Sequence, residues 1–455
     1  MRYFFETYGC QMNHAESASV EQILLSRAWT QAETAEAADL IIINTCSVRI
    51  TAENRALSRL SHFCAQKKHR AFYILVMGCM AQRLHETLKA EYPGVDFIIG
   101  MFERNTFADV FQSIEAGKPY VPVDETPANA SYYFSPSSYE RGTFQAYVPI
   151  MNGCNNFCSY CIVPYVRGRE VSRNRDEILA ELDSLADQGV REVTLLGQNV
   201  NSYRYTDPES GETIGFPELL TAIARRVEQK NTIRWVRFMS SHPKDLSDEL
   251  IAVLARERVF CRLIHLPVQH ASNRILKAMN RQYTRESYLA LVERIRKAIP
   301  DVALSTDILV GFPGETEEDV TEVLDLIRDV RYEAAFMYHY NPREGTKACM
   351  MPDQIPENVR KERLDRVIHL QLQISSEVMR ARIGQVVTVL VESVSRNNPE
   401  ELFGHTELGE MVVFADKLDT TLIGHFVSAE LTCLRGRTFR AKLCGNPEVC
   451  RTCSD

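Results

Sequence analysis

The apolar residues of this chain recur in two patterns, a strand-and-helix alternation that occurs twice and a tighter strand alternation that follows it. Up to residue 125, the short apolar runs Tyr3-Phe4-Phe5, Leu40-Ile41-Ile42-Ile43 and Phe72-Tyr73-Ile74-Leu75-Val76-Met77 alternate with helical stretches such as 16–27 and 52–66. Strands that alternate with helices build a parallel sheet. From 143 to about 340 the alternation resumes, with strand-like runs at 146–151, 192–196, 233–239, 262–266, 303–310 and 334–340 separated by amphipathic helices. Six such βα units predict a partial TIM-like barrel, with its chemistry at the carboxyl ends of the strands. A charged helical stretch at 357–382 carries no site-like cluster and reads as a connecting helix. Short alternating runs at 385–392, 411–415 and 425–431, with glycines between, predict a small β-barrel of OB type, a fold often used on RNA. The stretch 126–142 is rich in Pro, Ser, Tyr and Ala, has no period, and reads as a linker. The expected class is therefore α/β, divided into 1–125, a linker 126–142, a central domain 143–383, a C-terminal barrel 384–448 and a tail 449–455.

Composition narrows the setting. A chain of 455 residues exceeds what one core usually organises, and 45% hydrophobic with 25% charged residues is ordinary for a soluble globular protein. No apolar run reaches the ~18 residues of a membrane span, and the opening Met1-Arg2-Tyr3-Phe4-Phe5-Glu6 lacks the apolar core of a signal peptide. The expected location is the cytoplasm, with no membrane partner. Thirteen cysteines in that setting read as metal ligands or free thiols before disulfides. The net charge of −8 speaks against indiscriminate nucleic-acid binding and leaves room for a local basic groove.

The cysteines fall into groups. Cys154, Cys158 and Cys161 stand with three and then two residues between them, close enough to share one inorganic partner. Structural zinc takes four protein ligands, whereas three cysteines can hold a cubane iron–sulfur cluster and leave its fourth iron open. Zinc with a distant fourth ligand, or a reduced cysteine-rich loop, are the alternatives. Cys10, Cys46 and Cys79 each follow one of the first three apolar runs, and parallel strands end at one edge, so the three should converge beyond it; the alternative is three separately buried thiols. Cys444, Cys450 and Cys453 form a third group, a conceivable metal site without a clear fourth ligand. Polar loops follow several central strands: Gly197-Gln198-Asn199, Ser240-Ser241-His242-Pro243, Pro267-Val268-Gln269-His270 and Gly311-Phe312-Pro313-Gly314-Glu315. Each could reach a cofactor or substrate, or simply make a turn. Arg167, Arg169, Arg173 and Arg175 form a basic run that either guides RNA phosphates or begins a solvated helix.

The Cys154–Cys161 spacing, with Tyr160 just before the last cysteine, resembles the signature of radical S-adenosylmethionine (SAM) enzymes. Joined to Tyr8-Gly9-Cys10-Gln11-Met12-Asn13, Asn44-Thr45-Cys46-Ser47-Val48-Arg49, Met77-Gly78-Cys79-Met80-Ala81-Gln82, Ile162-Val163-Pro164-Tyr165-Val166-Arg167-Gly168-Arg169-Glu170 and Leu196-Gly197-Gln198-Asn199-Val200-Asn201-Ser202-Tyr203, it resembles the methylthiotransferase family over almost the whole chain. That resemblance implies a methylthiotransferase domain, a radical-SAM domain and a C-terminal RNA-binding TRAM domain. It implies two [4Fe–4S] clusters, an auxiliary one on Cys10, Cys46 and Cys79 and the radical-SAM one on Cys154, Cys158 and Cys161. SAM contacts are expected from Tyr160, Gln198, Asn199, Ser240, Gln269, Gly311 and Phe312, with no side chain assigned as general acid or base. The implied substrate is a tRNA anticodon stem-loop carrying N(6)-dimethylallyladenosine, which gains a methylthio group at carbon 2. One SAM would give the methyl group and another the radical, with electrons from a reductase or flavodoxin-type protein, in a monomer. Two departures stand out: the family usually has Ser-Gly-Ser after Pro-Val-Gln where this chain has His270-Ala271-Ser272, and the C-terminal cysteines lie outside the pattern. A competing reading from another class is a non-catalytic iron–sulfur protein that binds RNA or passes electrons; formation of 5′-deoxyadenosine under reduction separates the two.

Overall fold

The first domain is a parallel sheet whose central strand is covered on both sides. In the computed structural model, which describes residues 1–47, 50–120, 134, 139, 142–414 and 419–444, strands β1 (Arg2–Tyr8), β2 (Thr30–Gln31), β3 (Leu40–Thr45), β4 (Tyr73–Met77) and β5 (Phe97–Ile99) lie in the order β2-β1-β3-β4-β5. Leu40 and Ile42 face a core shared with α1 (Gln11–Ser26) and α5 (Phe107–Ala116). Ile41 and Ile43 face the opposite core, with α2 (Ile50–Gln66), α3 (Cys79–Arg83) and α4 (His85–Glu91). Burial on both faces explains the continuous apolar run. Tyr8 pairs with Thr45, and Asn44 with Met77, so β1, β3 and β4 end level with one another.

The central domain runs β6 (Gln145–Pro149), β7 (Met151–Asn152), α6 (Val163–Arg167), β8 (Val171–Ser172), α7 (Arg175–Asp187), β9 (Glu192–Leu196), a hairpin of β10 (Arg204–Thr206) and β11 (Thr213–Gly215), and α8 (Phe216–Lys230). It continues through β12 (Trp235–Phe238), α9 (Asp248–Arg256), β13 (Leu263–His265), α10 (Asn273–Ala278), α11 (Arg285–Ala298), β14 (Ala303–Val310), α12 (Glu317–Val330), β15 (Ala334–His339) and α13 (Glu357–Arg380). The six expected barrel strands form two parallel halves, β6-β9-β12 and β13-β14-β15, joined through a bridge between Val236 and Phe260. Alternate residues take opposite faces. Val148, Val193, Leu195 and Val236 enter the core beneath the helices, while Tyr147 and Leu196 face the lumen, where Met12, Ala15 and Cys10 pack on them. Helix α1 thus brings the first domain against the flank of β6.

The C-terminal barrel closes through β16 (Val386–Val394), β17 (Leu402–Thr406), β18 (Met411–Phe414), β20 (Thr438–Leu443) and β19 (Phe426–Arg435). Strands β17 and β20 were not anticipated. β17 has no clean apolar alternation because Gly404 passes so near the Leu390 carbonyl that a Cβ would lie 2.3 Å from it. The barrel docks on the amino ends of the central strands. Arg237 donates to the carbonyls of Thr406 and Glu407, Arg262 N donates to Glu407 Oε1 at 2.9 Å, and Trp235 packs on Phe426 and His405. It therefore closes the barrel floor and leaves the carboxyl mouth to the first domain. Apart from Phe134, Tyr139 and Gly142, the 126–142 stretch lies outside the described residues, as do Cys450 and Cys453. No helix among the described residues is long and apolar enough to cross a membrane.

Candidate active site

The N-terminal cysteines sit together because three neighbouring strands end together. Cys10 is the N-cap of α1, Cys46 follows β3 directly, and Cys79 is the first residue of α3. Asn13 and Asn44 pin the turns: Asn13 Nδ2 donates to Asn44 Oδ1 at 3.0 Å, Asn44 Nδ2 donates to Asn13 O at 2.8 Å, and Asn13 Oδ1 accepts from Cys10 N at 3.2 Å. Only glycine serves before Cys79, since Gly78 has φ +94° and a Cβ there would lie 2.4 Å from Asn44 Oδ1. A hydrogen bond with the Cys46 thiol, opposed by burial and helped by the Arg167 charge, brings Cys10 down to about 6. Burial pushes Cys79 up, and Arg167 partly offsets it.

Arg167 ends α6, the helix that begins just after Cys161. Its guanidinium lies 2.8 Å from Glu16 and 2.9 Å from Asn152 Oδ1, while Arg104 pairs with Glu16 at 3.1 Å. Both Arg167 and Glu16 are buried. This corrects the expectation that Arg167 guides RNA: it is an interior cation between the two cysteine sets. Arg173 is likewise buried and paired with Glu181, so it is neither an exposed cation nor part of a solvated helix start. Arg175 is half-buried beside Asp176. Arg169 alone of the four is exposed, stacked over Phe157 at 4.4 Å.

The Cys154–Cys161 loop is held from a distance. Arg281 Nη1 donates to Cys158 Sγ at 3.4 Å while Nη2 donates to Pro267 O at 3.0 Å. Asn280 donates to the carbonyls of Asn156 and Phe157, and Asn156 Nδ2 approaches Cys154 Sγ at 3.5 Å. Gly153 has φ +83°, and a Cβ would lie 2.0 Å from Arg169 O. Burial raises Cys154 and pushes Cys161 up to about 12; such thiols ionise once a metal takes up their charge. Nothing in the sequence spacing pointed to Arg281 or Asn280, which lie in the loop just after α10, far along the chain.

The expected SAM contacts surround this loop unevenly. Gln198 Oε1 accepts from Gly153 N at 2.6 Å, so it holds the cysteine loop. Asn199 is buried and donates to Asp245 at 2.8 Å, yet its Oδ1, like Ser241 Oγ, is buried without a hydrogen-bond partner. Ser240 and Gln269 have φ +67° and +65°. Non-glycine residues in that region carry strain of the kind that collects at functional sites. Gly311 N donates to both carboxylate oxygens of Glu315, which also meets His270 at 3.1 Å and Arg363 at 3.0 Å. His270, the departure from the family pattern, thus braces the Gly311 turn through a buried carboxylate, and α13 supplies Arg363 to it, although the sequence of α13 had shown no site-like cluster. Phe312 is a correction: its ring is fully buried with Ile275, Met279 and Tyr340, so it supports the mouth from behind. Tyr160 is half-buried against that same cluster.

Do these residues fit the implied groups? Among the described residues, no three Cys, His, Asp or Glu side chains close around one point as a single ion requires. The corners of a cubane stand farther apart than the ligands of one ion, and both thiol sets offer three soft donors near positive or N–H groups, which suits an iron–sulfur cluster. The unsatisfied Asn199 and Ser241 oxygens suit a polar ligand at the mouth.

Comparison with known proteins agrees with this division. Residues 2–100 match an uncharacterized protein family, UPF0004, residues 148–327 the Radical SAM superfamily, and residues 380–444 the TRAM domain. The chain is 59% identical over 452 residues to tRNA-2-methylthio-N(6)-dimethylallyladenosine synthase of Treponema pallidum, covering 97% of this chain and 99% of that protein. It belongs to that family of synthases. The Phocaeicola vulgatus protein of the same name is 45% identical, with 95% of this chain and 93% of the other covered. Among solved structures, the radical S-adenosylmethionine methyltransferase TsrM from Kitasatospora setae superposes with a TM-score of 0.56 at 16% identity, covering 77% of each chain. That likeness concerns the fold. As a member of the synthase family the chain is a radical-SAM methylthiotransferase, and its N-terminal sheet, partial barrel and closed C-terminal barrel are the three matched parts in order.

Proposed function

We propose that this chain converts N(6)-dimethylallyladenosine in a tRNA anticodon stem-loop to its 2-methylthio derivative, with two [4Fe–4S] clusters and SAM. The observation that carries the reading is the pair of three-thiol sets on either side of α6, one beyond the edge of a parallel sheet and one in a loop at the barrel mouth. In this reading Cys154, Cys158 and Cys161 hold the radical-SAM cluster, and Cys10, Cys46 and Cys79 hold the auxiliary one. Bound there, such groups supply one-electron chemistry and a sulfur source, which a neutral, unactivated aromatic C–H requires because no side-chain base removes its proton at a useful rate.

The chain's own residues do the rest. Asn13, Asn44 and Gly78 fix where the three sheet-edge thiols stand, and Arg167 and Arg104 balance Glu16 beside them. Gln198, Asn280 and Arg281 fix the loop. The turns at Asn199, Ser240, Gln269 and Gly311 offer polar groups to SAM. Helix α1 closes the lumen on one flank and the C-terminal barrel closes its floor, which leaves the bound substrate to complete the shielding of a site where a radical would otherwise react with whatever lay nearest. Both thiol sets belong to one chain, so a monomer suffices. A reductase or flavodoxin-type protein would provide electrons, and the cytoplasm is the setting for such a partner and for tRNA.

Nucleoside mass spectrometry of dimethylallyladenosine-bearing tRNA treated with the anaerobically reconstituted protein, SAM and a reductant tests the proposal. A 2-methylthio nucleoside is the expected product. Iron-loaded protein that gives neither this product nor 5′-deoxyadenosine would point to a binder or electron carrier.

A further inference from the structure

The inner face of the last barrel strand exposes two aromatic rings to the lumen. Phe336 and Tyr338 are each 46% exposed, whereas their neighbours Ala335 and Met337 pack outward on the main core. Register fixes what lies beside them: Phe336 pairs with Asp307 and Tyr338 with Leu309 on β14, so these four share a face. Asp307 is partly exposed, with His265 Nε2 at 3.6 Å; His265 is itself buried, meets Ser305 Oγ at 3.0 Å and lies edge-on to Phe336 at 5.7 Å.

The location of this face matters as much as its chemistry. Leu309 and Tyr340 lie in the cluster against which Tyr160 packs, the residue before Cys161. Two strand residues rise roughly 7 Å, so Phe336 and Asp307 sit about that far below the layer touching the cysteine loop. On the flank of β6, Cys10 and Met12 pack on Tyr147 and Leu196 in the same lumen. The floor is closed by Glu407 and Thr406 on Arg237. A flat group resting on Phe336 and Tyr338 would have one thiol set above it and the other across from it.

Resting on the function proposed above, we infer that Phe336, Tyr338 and Asp307 form the seat of the substrate base and select N(6)-dimethylallyladenosine. The rings hold the adenine face and the apolar dimethylallyl chain, since RNA bases taken out of a stack are held on aromatic side chains. Asp307, steadied by His265, accepts a hydrogen bond from the one remaining N6–H. A carboxylate at that position also rejects guanine, whose O6 is an acceptor, because two acceptors would face each other.

The test uses full-length, cluster-loaded protein and two anticodon stem-loops that differ only in the dimethylallyl group. Fluorescence anisotropy gives the affinity for each, and KM and kcat for methylthio formation are measured on the modified loop, with iron content and circular dichroism confirming that every variant is loaded and folded. Wild type should bind the modified loop more tightly. Phe336→Ala and Tyr338→Ala should each cut that preference and raise KM by roughly tenfold, the loss expected for one base–aromatic stack. Phe336→Leu should keep most of the preference for the chain, and Asp307→Ala should weaken both loops alike while admitting a guanosine-bearing loop. Unaltered preference and KM in both alanine variants, or equal wild-type affinity for the two loops, would overturn the seat. A wild type whose preference depends on Phe336 but which makes no methylthio product would sink the proposed function and leave the seat standing; product formation indifferent to Phe336 and Tyr338 would do the reverse.

Discussion

The two cysteine sets solve one problem in opposite ways. The barrel loop brings three thiols together locally and borrows its rigidity from afar, through Arg281, Asn280 and Gln198. The sheet-edge set takes its thiols from three separate strand ends and its rigidity from neighbours, through Asn13 and Asn44. The contrast shows where information about a site resides. A compact motif can be read directly but says nothing about what holds it. A dispersed set is legible only to a reader who has already recognised the parallel sheet.

Breaking the compact set should have the largest effect. With Cys154, Cys158 and Cys161 all changed to Ala, both 5′-deoxyadenosine and methylthio-nucleoside should disappear, while the sheet-edge set keeps about half of the roughly eight irons expected of two cubanes. Iron assay and product analysis on one preparation check this. Complete loss of iron would mean that the sets do not load independently.

Next comes the residue that joins them. Arg167→Leu leaves Glu16 buried with Arg104 and removes the cation beside Cys10 and Cys79. A buried charge left without any partner costs about 3–5 kcal/mol; Glu16 keeps Arg104, so the loss should be smaller than that and should fall on the contact between the first two domains. Hydrogen exchange in α1 and α6 should rise together; an increase confined to α6 would contradict the joining role.

The smallest effect concerns the floor, remote from both sets. Burial alone would raise Glu192, but the hydrogen bond from His405 and the charge of Arg237 bring it down to about 2. Burial opposes protonation of His405, yet Glu192 and Glu392 raise it above its ordinary 6.5. The Glu192 contribution is present above its unfolded value near 4.5 and is lost as pH falls toward 2. The His405 contribution is full below 6.5 and is lost as pH rises through its raised value. Docking of the C-terminal barrel should thus be firmest between about 4.5 and 6.5. Hydrogen exchange in β17 should increase above that window, and His405→Gln should flatten the dependence on its alkaline side.

Much of this organisation was legible in the sequence. The βα alternation gave the sheet and the six barrel strands, because a period of apolar runs survives whatever decorates the loops. Convergence of Cys10, Cys46 and Cys79 followed from strand direction alone. The arginine run misled because charge in a sequence carries no burial: Arg167 and Arg173 looked like Arg169 until Glu16 and Glu181 were seen beside them. Phe312 looked like a mouth residue because its neighbours are, whereas the turn at Gly311, with φ +74°, carries its ring into the cluster of Ile275, Met279 and Tyr340. Strands β17 and β20 escaped because Gly404 fills an inward position of β17 with no apolar side chain, and the inward Phe439 and Ala441 of β20 alternate with charged residues. Phe336 and Tyr338 gave no signal, since an aromatic in an apolar run reads as core, and only their exposure in the lumen distinguishes them.

The measurement that bears most directly on the two-set account is a product analysis of the triple variant Cys10→Ala, Cys46→Ala, Cys79→Ala. Three products are followed in one reduced sample with SAM and modified tRNA: 5′-deoxyadenosine, acid-released methanethiol and methylthio-nucleoside. The account predicts that 5′-deoxyadenosine persists, because Cys154, Cys158 and Cys161 and the groups that hold them are untouched. Methanethiol and methylthio-nucleoside should both vanish, because the sulfur acceptor is gone. Methylthio-nucleoside at the wild-type level would make the sheet-edge cysteines mere buried thiols and contradict the account.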